Sequence, residues 1–200
     1  LVTSTITGEG KSFIALNLAL TFALTGKSVA LIELDINNPN ISNKLNIPSS
    51  PGMADYLQDK CSLEEIIKPY GELANLSVIP AGKYPEKHFT EVLENERIHE
   101  LIGHVSNTFD YVIKDTAPVS SITDAYILSA HCDITLYVVR HKYTPKVFVQ
   151  RLDQNDQLIN IAVVFNDIRA RGFGKYHFGY GYGYGYVYNE KSKNNHTADT

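Results

Sequence analysis

The sequence predicts an α/β fold, a mostly parallel sheet with helices on both faces, on three observations. Apolar runs of strand length alternate with helix-length amphipathic segments from the first residue to about Asn166, the order that βα repeats require. The strand-like runs are rich in β-branched and aromatic residues. Finally, 200 residues at 44% hydrophobic and 20% charged are enough chain to bury one substantial core, which excludes a disordered or fibrous protein.

Taken in order, the predicted strands are Leu1 to Thr3, Val29 to Leu34, Leu76 to Ile79, Tyr111 to Lys114, Ile134 to Arg140 and Ile161 to Phe165. The predicted helices are Lys11 to Thr25, closed by Gly26, then Leu63 to Lys68, Phe89 to Val105, Asp124 to Ala130 and Pro145 to Gln157. Parallel strands need such crossovers. From Arg169 the pattern stops. Residues 169–200 form a tail in which Tyr176, Tyr180, Tyr182, Tyr184, Tyr186 and Tyr188 are interleaved with glycine. Alternate glycines carry a large ordering entropy and offer nothing to pack, so a mobile tail is expected after a folded domain at 1–168.

Composition narrows the function classes. The formal charge of -4, from 18 basic and 22 acidic side chains, provides no global field toward nucleic acid or an anionic membrane, so any bound anion must be held locally. Cys61 and Cys132 match neither a disulfide framework nor a zinc spacing, and are expected to be small buried apolar residues in a reducing compartment. The seven histidines show no metal-ligand spacing. The most apolar segment, Ile14 to Leu24, is broken by Asn17 and Thr21, too short a run to span a membrane. The chain opens on LVTS with no initiator Met, which reads as a strand already under way in a longer protein.

The strongest local signal is TSTITGEGKS, Thr3 to Ser12, between the first strand and the first helix. Strand, glycine loop, Lys-Ser, helix is the order of a phosphate-binding loop. Gly8 and Gly10 let backbone N–H groups turn onto an anion, and the helix N-terminus adds its positive dipole end. Lys11 can bridge terminal phosphates, and Ser12 would place its hydroxyl on a magnesium ion. Thr5 stands where G-x-x-x-x-G-K-[ST] has its first glycine. Two strand ends then supply acids. Glu33 and Asp35 alternate at the exit of the second strand and are expected to point the same way, with Asp35 toward magnesium. Asp115 ends Tyr111-Val-Ile-Lys-Asp and fits the second magnesium-facing acid. Lys114 must then point to the opposite face and either snorkel or pair.

GEGKS, Glu33-Leu-Asp35, KDTAPV, Thr123-Asp124-Ala125 and the tyrosine tail together resemble the cytoplasmic kinase domain of the bacterial tyrosine kinases of capsular and exopolysaccharide export. Pro80-Ala-Gly82 with Thr90-Glu-Val-Leu93 adds to that resemblance. It implies a three-layer P-loop NTPase fold and a protein-tyrosine kinase using ATP and Mg²⁺. Gly8, Glu9, Gly10, Lys11, Ser12 and Phe13 would surround the phosphates, and Asn166 would contact the adenine. Ser12, Asp35 and Asp115 would hold Mg²⁺. Glu33 stands where the family usually has Asp near the attacking hydroxyl, which makes it the candidate general base or orienter. With Lys11, Asp35 and Asp115 it forms the implied catalytic set. The six tail tyrosines would be the phosphoacceptors.

The resemblance also implies a cytoplasmic domain of a bacterial inner-membrane protein. Its partners would be its own or a neighbouring tail and a membrane polysaccharide co-polymerase segment, in the same or a separate chain. Homo-oligomers are implied for the full-length protein and nucleic acid is not. Departures from the family pattern bear on rate: Asn37 replaces a usual Arg, Thr116-Ala-Pro replaces Thr-Pro-Pro, and Arg140 and Lys142 are possible substitute cations. Two other functions are compatible with the same loop. One is a catalytically weak nucleotide-binding regulator of polysaccharide export, the other a switch ATPase of the partitioning type.

Overall fold

The computed structural model describes residues 1–83, 96–121, 123–152 and 157–168. Among the described residues seven strands form one sheet: β1 (Val2–Ser4), β2 (Val29–Glu33), β3 (Lys68–Pro69), β4 (Leu76–Ile79), β5 (Tyr111–Asp115), β6 (Thr135–Arg140) and β7 (Ile161–Asn166). Their order is β3-β4-β2-β5-β1-β6-β7, parallel throughout except for β3, which runs antiparallel to β4 at the edge. The α/β expectation holds. Six predicted strands are present within a residue or so of their expected ends; the two-residue β3 was not expected. Its residues include Pro69, which has no N–H to give and so suits an edge.

The helices are α1 (Lys11–Leu24), α2 (Ile41–Lys44), α3 (Met53–Leu57), α4 (Leu63–Ile66), α5 (Glu96–Thr108), α6 (Asp124–Ser129) and α7 (Lys146–Gln150). The one-turn α2 and α3 were not foreseen, because four or five residues carry too little periodicity to register. Residues 89–95 of the predicted third helix, with Thr90 to Leu93, lie outside the described residues, as does the tail with its six tyrosines.

Alternation along the central strands places one core on each face of the sheet. Val29 and Leu31 of β2 face α1, whose Ala15, Ala19 and Ala23 recur every four residues and are buried against the sheet. Those small side chains let α1 approach β1, β2 and β5 closely. Ala30 and Ile32 face the other way, against Ile98, Leu101 and Val105 of α5 and Ala125 and Leu128 of α6. Each fully buried Leu or Ile stabilises by roughly 1.5–3 kcal/mol. Leu1–Ile168 forms one compact unit.

Lys114 behaves as strand alternation demands. It is only 3% exposed and turns away from Asp115, its Nζ donating to the His131 carbonyl at 2.8 Å and to Cys132 Sγ at 3.3 Å. The cysteine expectation needs correction in degree: Cys61 and Cys132 are free and pack against the apolar core, but both are only partly buried, and Cys132 Sγ also accepts from Lys114 and donates to the Leu128 carbonyl. Among the described residues no helix is long and apolar enough to cross a membrane, and no cluster of His, Cys, Asp or Glu suits a metal by itself.

Candidate active site

The register of β1 sets the site. Val2 pairs with Asp115, so β1 runs two residues past the end of β5 before the loop begins. The segment after β5 keeps pairing alongside, with Thr116 N–H on the Val2 carbonyl, Val119 N–H on Ser4 and Ser120 N–H on Thr5. Asp115 is thereby laid beside the start of α1, where the phosphate loop ends.

The loop needs its glycines. Gly8 and Gly10 have φ of 87° and 100°, a left-handed region that other residues enter at a cost. Gly10 precedes α1, its carbonyl accepting from Ile14 N–H at 3.0 Å. A Cβ at Gly10 would lie 2.1 Å from Asn166 Nδ2. Gly10→Ala is therefore expected to destabilise the fold by about 1–3 kcal/mol, through strain and displacement of Asn166, measurable as a lower unfolding midpoint in urea. Thr5, in the usual glycine position, is buried and shares a 2.8 Å hydrogen bond with the Tyr137 hydroxyl, which satisfies the extra polar group.

Lys11 is 6% exposed, with its Nζ 3.9 Å from Asp35 Oδ2. Ser12, one residue on, hydrogen-bonds the Asp115 carboxylate. Burial pushes the Asp115 carboxyl up to about 7, against the downward pull of Ser12 and Lys11, and the carboxyls of Asp35 and Glu33 push it further up. Its Oδ1 is buried and has no hydrogen-bond partner. Asp35 is raised mainly by burial too, opposed by Lys11 and by the Asn38 backbone N–H that its Oδ1 accepts at 3.2 Å. An orphaned carboxylate oxygen, a hydroxyl and a second acid around one ammonium make a hard oxygen donor set, which fits Mg²⁺. Ser12, Asp35 and Asp115 are the residues that would hold it.

Four further residues that the resemblance places at the site have the following surroundings. Glu33 and Asp35 both bear electrostatically on Asp115, but their carboxylates meet different partners, Asp35 the Lys11 ammonium and Glu33 a set of hydrogen-bond donors. The Glu33 carboxylate is 1% exposed and takes Ile41 N–H at 2.6 Å, Ser42 Oγ at 2.8 Å and Ala81 N–H at 3.4 Å. It ties the first turn of α2 to the loop after β4. Glu9 is fully buried, its Oε2 accepting Ile6 N–H at 2.7 Å and its Oε1 accepting the Thr144 hydroxyl, so the side chain braces the loop from within. Asn166 donates to the Glu9 carbonyl at 2.9 Å, placing it against the loop backbone. Phe13 stands on the open side of α1, 56% exposed.

A family model described as AAA domain matches residues 2–159. The tyrosine-protein kinase ptk of Acinetobacter johnsonii is 33% identical over 169 residues, 82% of this chain and 23% of its own length. The tyrosine-protein kinase CpsD of Streptococcus agalactiae is 32% identical over 181 residues, covering 88% of this chain and 78% of its own. The chain belongs to the bacterial tyrosine-protein kinases. Its fold agrees: the kinase domain of the Escherichia coli tyrosine kinase ETK superposes with a TM-score of 0.76 at 26% identity, over 89% of this chain and 70% of that one. The chain spans about a quarter of the length of longer kinases such as ptk.

Within this kinase domain, sequence reasoning had named Arg140 only as a substitute cation. The structure brings it to the loop, Nη1 on the Gly8 carbonyl at 2.9 Å, with Asp167 Oδ2 holding its Nε and Nη2 at 3.2 Å. Tyr137 and Thr144 were not foreseen at all. They lie more than 130 residues from their partners Thr5 and Glu9, and no local pattern marks such pairs.

Proposed function

We propose that this domain transfers the γ-phosphoryl group of ATP to tyrosine hydroxyls, chiefly Tyr176, Tyr180, Tyr182, Tyr184, Tyr186 and Tyr188 of its own or a neighbouring copy's tail, in the service of capsular or exopolysaccharide export. The observation that carries this reading is the buried, unpartnered Asp115 Oδ1 beside Ser12 and the Lys11–Asp35 pair, at the end of a glycine loop. Such an arrangement is costly to keep unless a cation-bearing ligand completes it. Family membership supplies the class of reaction.

Phosphoryl transfer asks for positioning and charge stabilisation more than for covalent help. The amides of residues 8–12 and the Lys11 ammonium would bind the phosphates, and Ser12, Asp35 and Asp115 would hold Mg²⁺. When bound, Mg²⁺ neutralises charge on the transferring group. Asp35 keeps Lys11 from wandering. Of the two roles open to Glu33, its three donors favour orienter over general base: both oxygens are already engaged, and its work is to fix α2 and the loop at 80–82 around Asp35. Tail phosphorylation would add about -1.5 to -2 charges per tyrosine, turning a near-neutral segment strongly acidic. The family setting supports a cytoplasmic domain of a bacterial inner-membrane protein, working with a membrane co-polymerase segment and forming homo-oligomers at full length.

One observation favours a second reading. Glu33 is locked and Asn37 brings no cation, the features expected of a weak catalyst that binds nucleotide as a regulator. Incubation with γ-labelled ATP and Mg²⁺ separates the possibilities. Label on tail tyrosines, reduced at least 100-fold by Lys11→Met, is the expected outcome. Free phosphate without labelled protein would indicate a switch ATPase, and ATP retention with neither would indicate the regulator.

A further inference from the structure

Three consecutive carbonyls of the phosphate loop each accept a side-chain hydrogen bond from the neighbouring β6–β7 edge of the sheet. Tyr143 Oη donates to Thr7 O at 3.1 Å, Arg140 Nη1 to Gly8 O at 2.9 Å and Asn166 Nδ2 to Glu9 O at 2.9 Å. All three donors sit at the ends of β6 and β7 or in the turn between β6 and α7. That turn is itself closed onto the loop. Thr144 Oγ1 accepts Arg140 N–H at 2.9 Å and donates to the buried Glu9 carboxylate, while Tyr143 N–H returns to the Arg140 carbonyl at 3.1 Å. The Arg140 guanidinium lies 5.1 Å over the Tyr143 ring and is held from behind by Asp167.

A trans peptide points its C=O and N–H in opposite directions. Holding the carbonyls of Thr7, Gly8 and Glu9 toward the β6–β7 side therefore fixes the N–H groups of Gly8, Glu9 and Gly10, each in the same peptide plane as one of those carbonyls, toward the other side. Those are the amides a phosphate would use. Glycine at 8 and 10 makes the required left-handed turns accessible but does not enforce them, since glycine visits many other conformations equally well.

We infer that Tyr143, Arg140 and Asn166 form a three-point carbonyl clamp that pre-orients the phosphate-binding amides, making them positioning residues for nucleotide affinity. This inference rests on nucleotide binding at the loop, and not on transfer to tyrosine. The clamp reduces the ordering the loop must undergo when it closes on a phosphate, so its loss should weaken binding rather than folding.

Calorimetric titration with ADP and Mg²⁺ tests it on the parent protein, Tyr143→Phe, Arg140→Gln and Arg140→Lys. Tyr143→Phe removes one hydroxyl from a half-exposed ring and is expected to raise the Kd about threefold to tenfold. Arg140→Gln should raise it by about tenfold or more, and Arg140→Lys, which keeps a donor, should recover part of the loss. Nucleotide-free melting should stay within about 2 °C of the parent for Tyr143→Phe, while amide hydrogen exchange at residues 8–10 becomes faster. Affinity within twofold of the parent in both Tyr143→Phe and Arg140→Gln overturns the clamp. So does an affinity loss that merely tracks a lowered nucleotide-free melting temperature. A parent protein that binds no ADP removes the nucleotide reading and the clamp together, whereas ADP binding without tyrosine labelling leaves the clamp standing and removes only the kinase reading.

Discussion

Asp115→Asn is expected to stabilise the nucleotide-free protein above pH 7 while abolishing magnesium-dependent phosphoryl transfer. The carboxyl of Asp115 titrates at about 7 in the fold, against 3.8 when solvated, because burial disfavours its charge more than Ser12 and Lys11 favour it. Between those two pH values the folded state holds a proton that the unfolded chain has released. Stability from this group is therefore full below about pH 4, falls as the pH rises, and levels off once Asp115 ionises in the fold. At roughly 1.4 kcal/mol per pH unit, the interval bounds the loss at about 4 kcal/mol. Asparagine has no charge to bury, so the variant should lose this slope. Urea unfolding at pH 5, 6.5 and 8 reads it: the gap between variant and parent should be largest at pH 8 and shrink toward acid. Lys11, Asp35, Glu33 and Ser12 all face the same carboxyl, and they remain in place in the variant. A parent whose stability is flat across that range would contradict the assignment, and so would a variant that keeps magnesium-dependent transfer.

Glu33→Ala should cost about 3–5 kcal/mol, because it strips three buried donors of their acceptor at once. Two of those donors, Ile41 N–H and Ser42 Oγ, are in the first turn of a four-residue helix that has little intrinsic stability. The third, Ala81 N–H, anchors the segment that pairs with Met53 and Ala54. Glu33→Asp, a methylene shorter, should recover about half of the loss by reaching one donor well and the others poorly. Glu33→Gln keeps the length and distinguishes the two roles. If Glu33 accepts the proton of the attacking tyrosine, Glu33→Gln lowers the transfer rate by 100-fold or more, well beyond what its loss of stability accounts for. If it orients, the loss is shared between stability and rate, since the amide nitrogen must face one of the donors. Denaturation midpoints and labelling rates measured on the same three variants decide it.

The legible part of this protein was its repetition. Alternating apolar runs marked six of the seven strands found among the described residues, and Gly8, Gly10, Lys11 and Ser12 stood at a strand-to-helix junction in the order of a phosphate loop. Asp115 and Asp35 were legible for a related reason, since an acid at the end of an apolar strand is conspicuous. Lys114 was predictable from alternation alone and is found buried on the far face. What was not legible fell into two kinds. The one-turn helices α2 and α3 have too few residues for a period to show. Nothing in the sequence shows that the carboxylates of Glu9 and Glu33 are buried and taken up by hydrogen-bond donors, because that depends on which donors the fold brings to them.

From its residues alone the chain determined the βα order, the two apolar faces of each central strand and the glycine loop, because these are set by side-chain period and by backbone freedom within a few neighbouring residues. The tertiary structure decided which partners each acid meets and which donors reach the loop. Glu33 meets α2 and the loop after β4, and Glu9 meets Thr144. The carbonyls of residues 7–9 meet donors from Arg140, Tyr143 and Asn166, more than 130 residues away along the chain. Hydrogen bonds between such distant segments are made only when the parallel sheet sets β1 beside β6 and β6 beside β7. Their partners are a property of that register and not of any stretch of sequence.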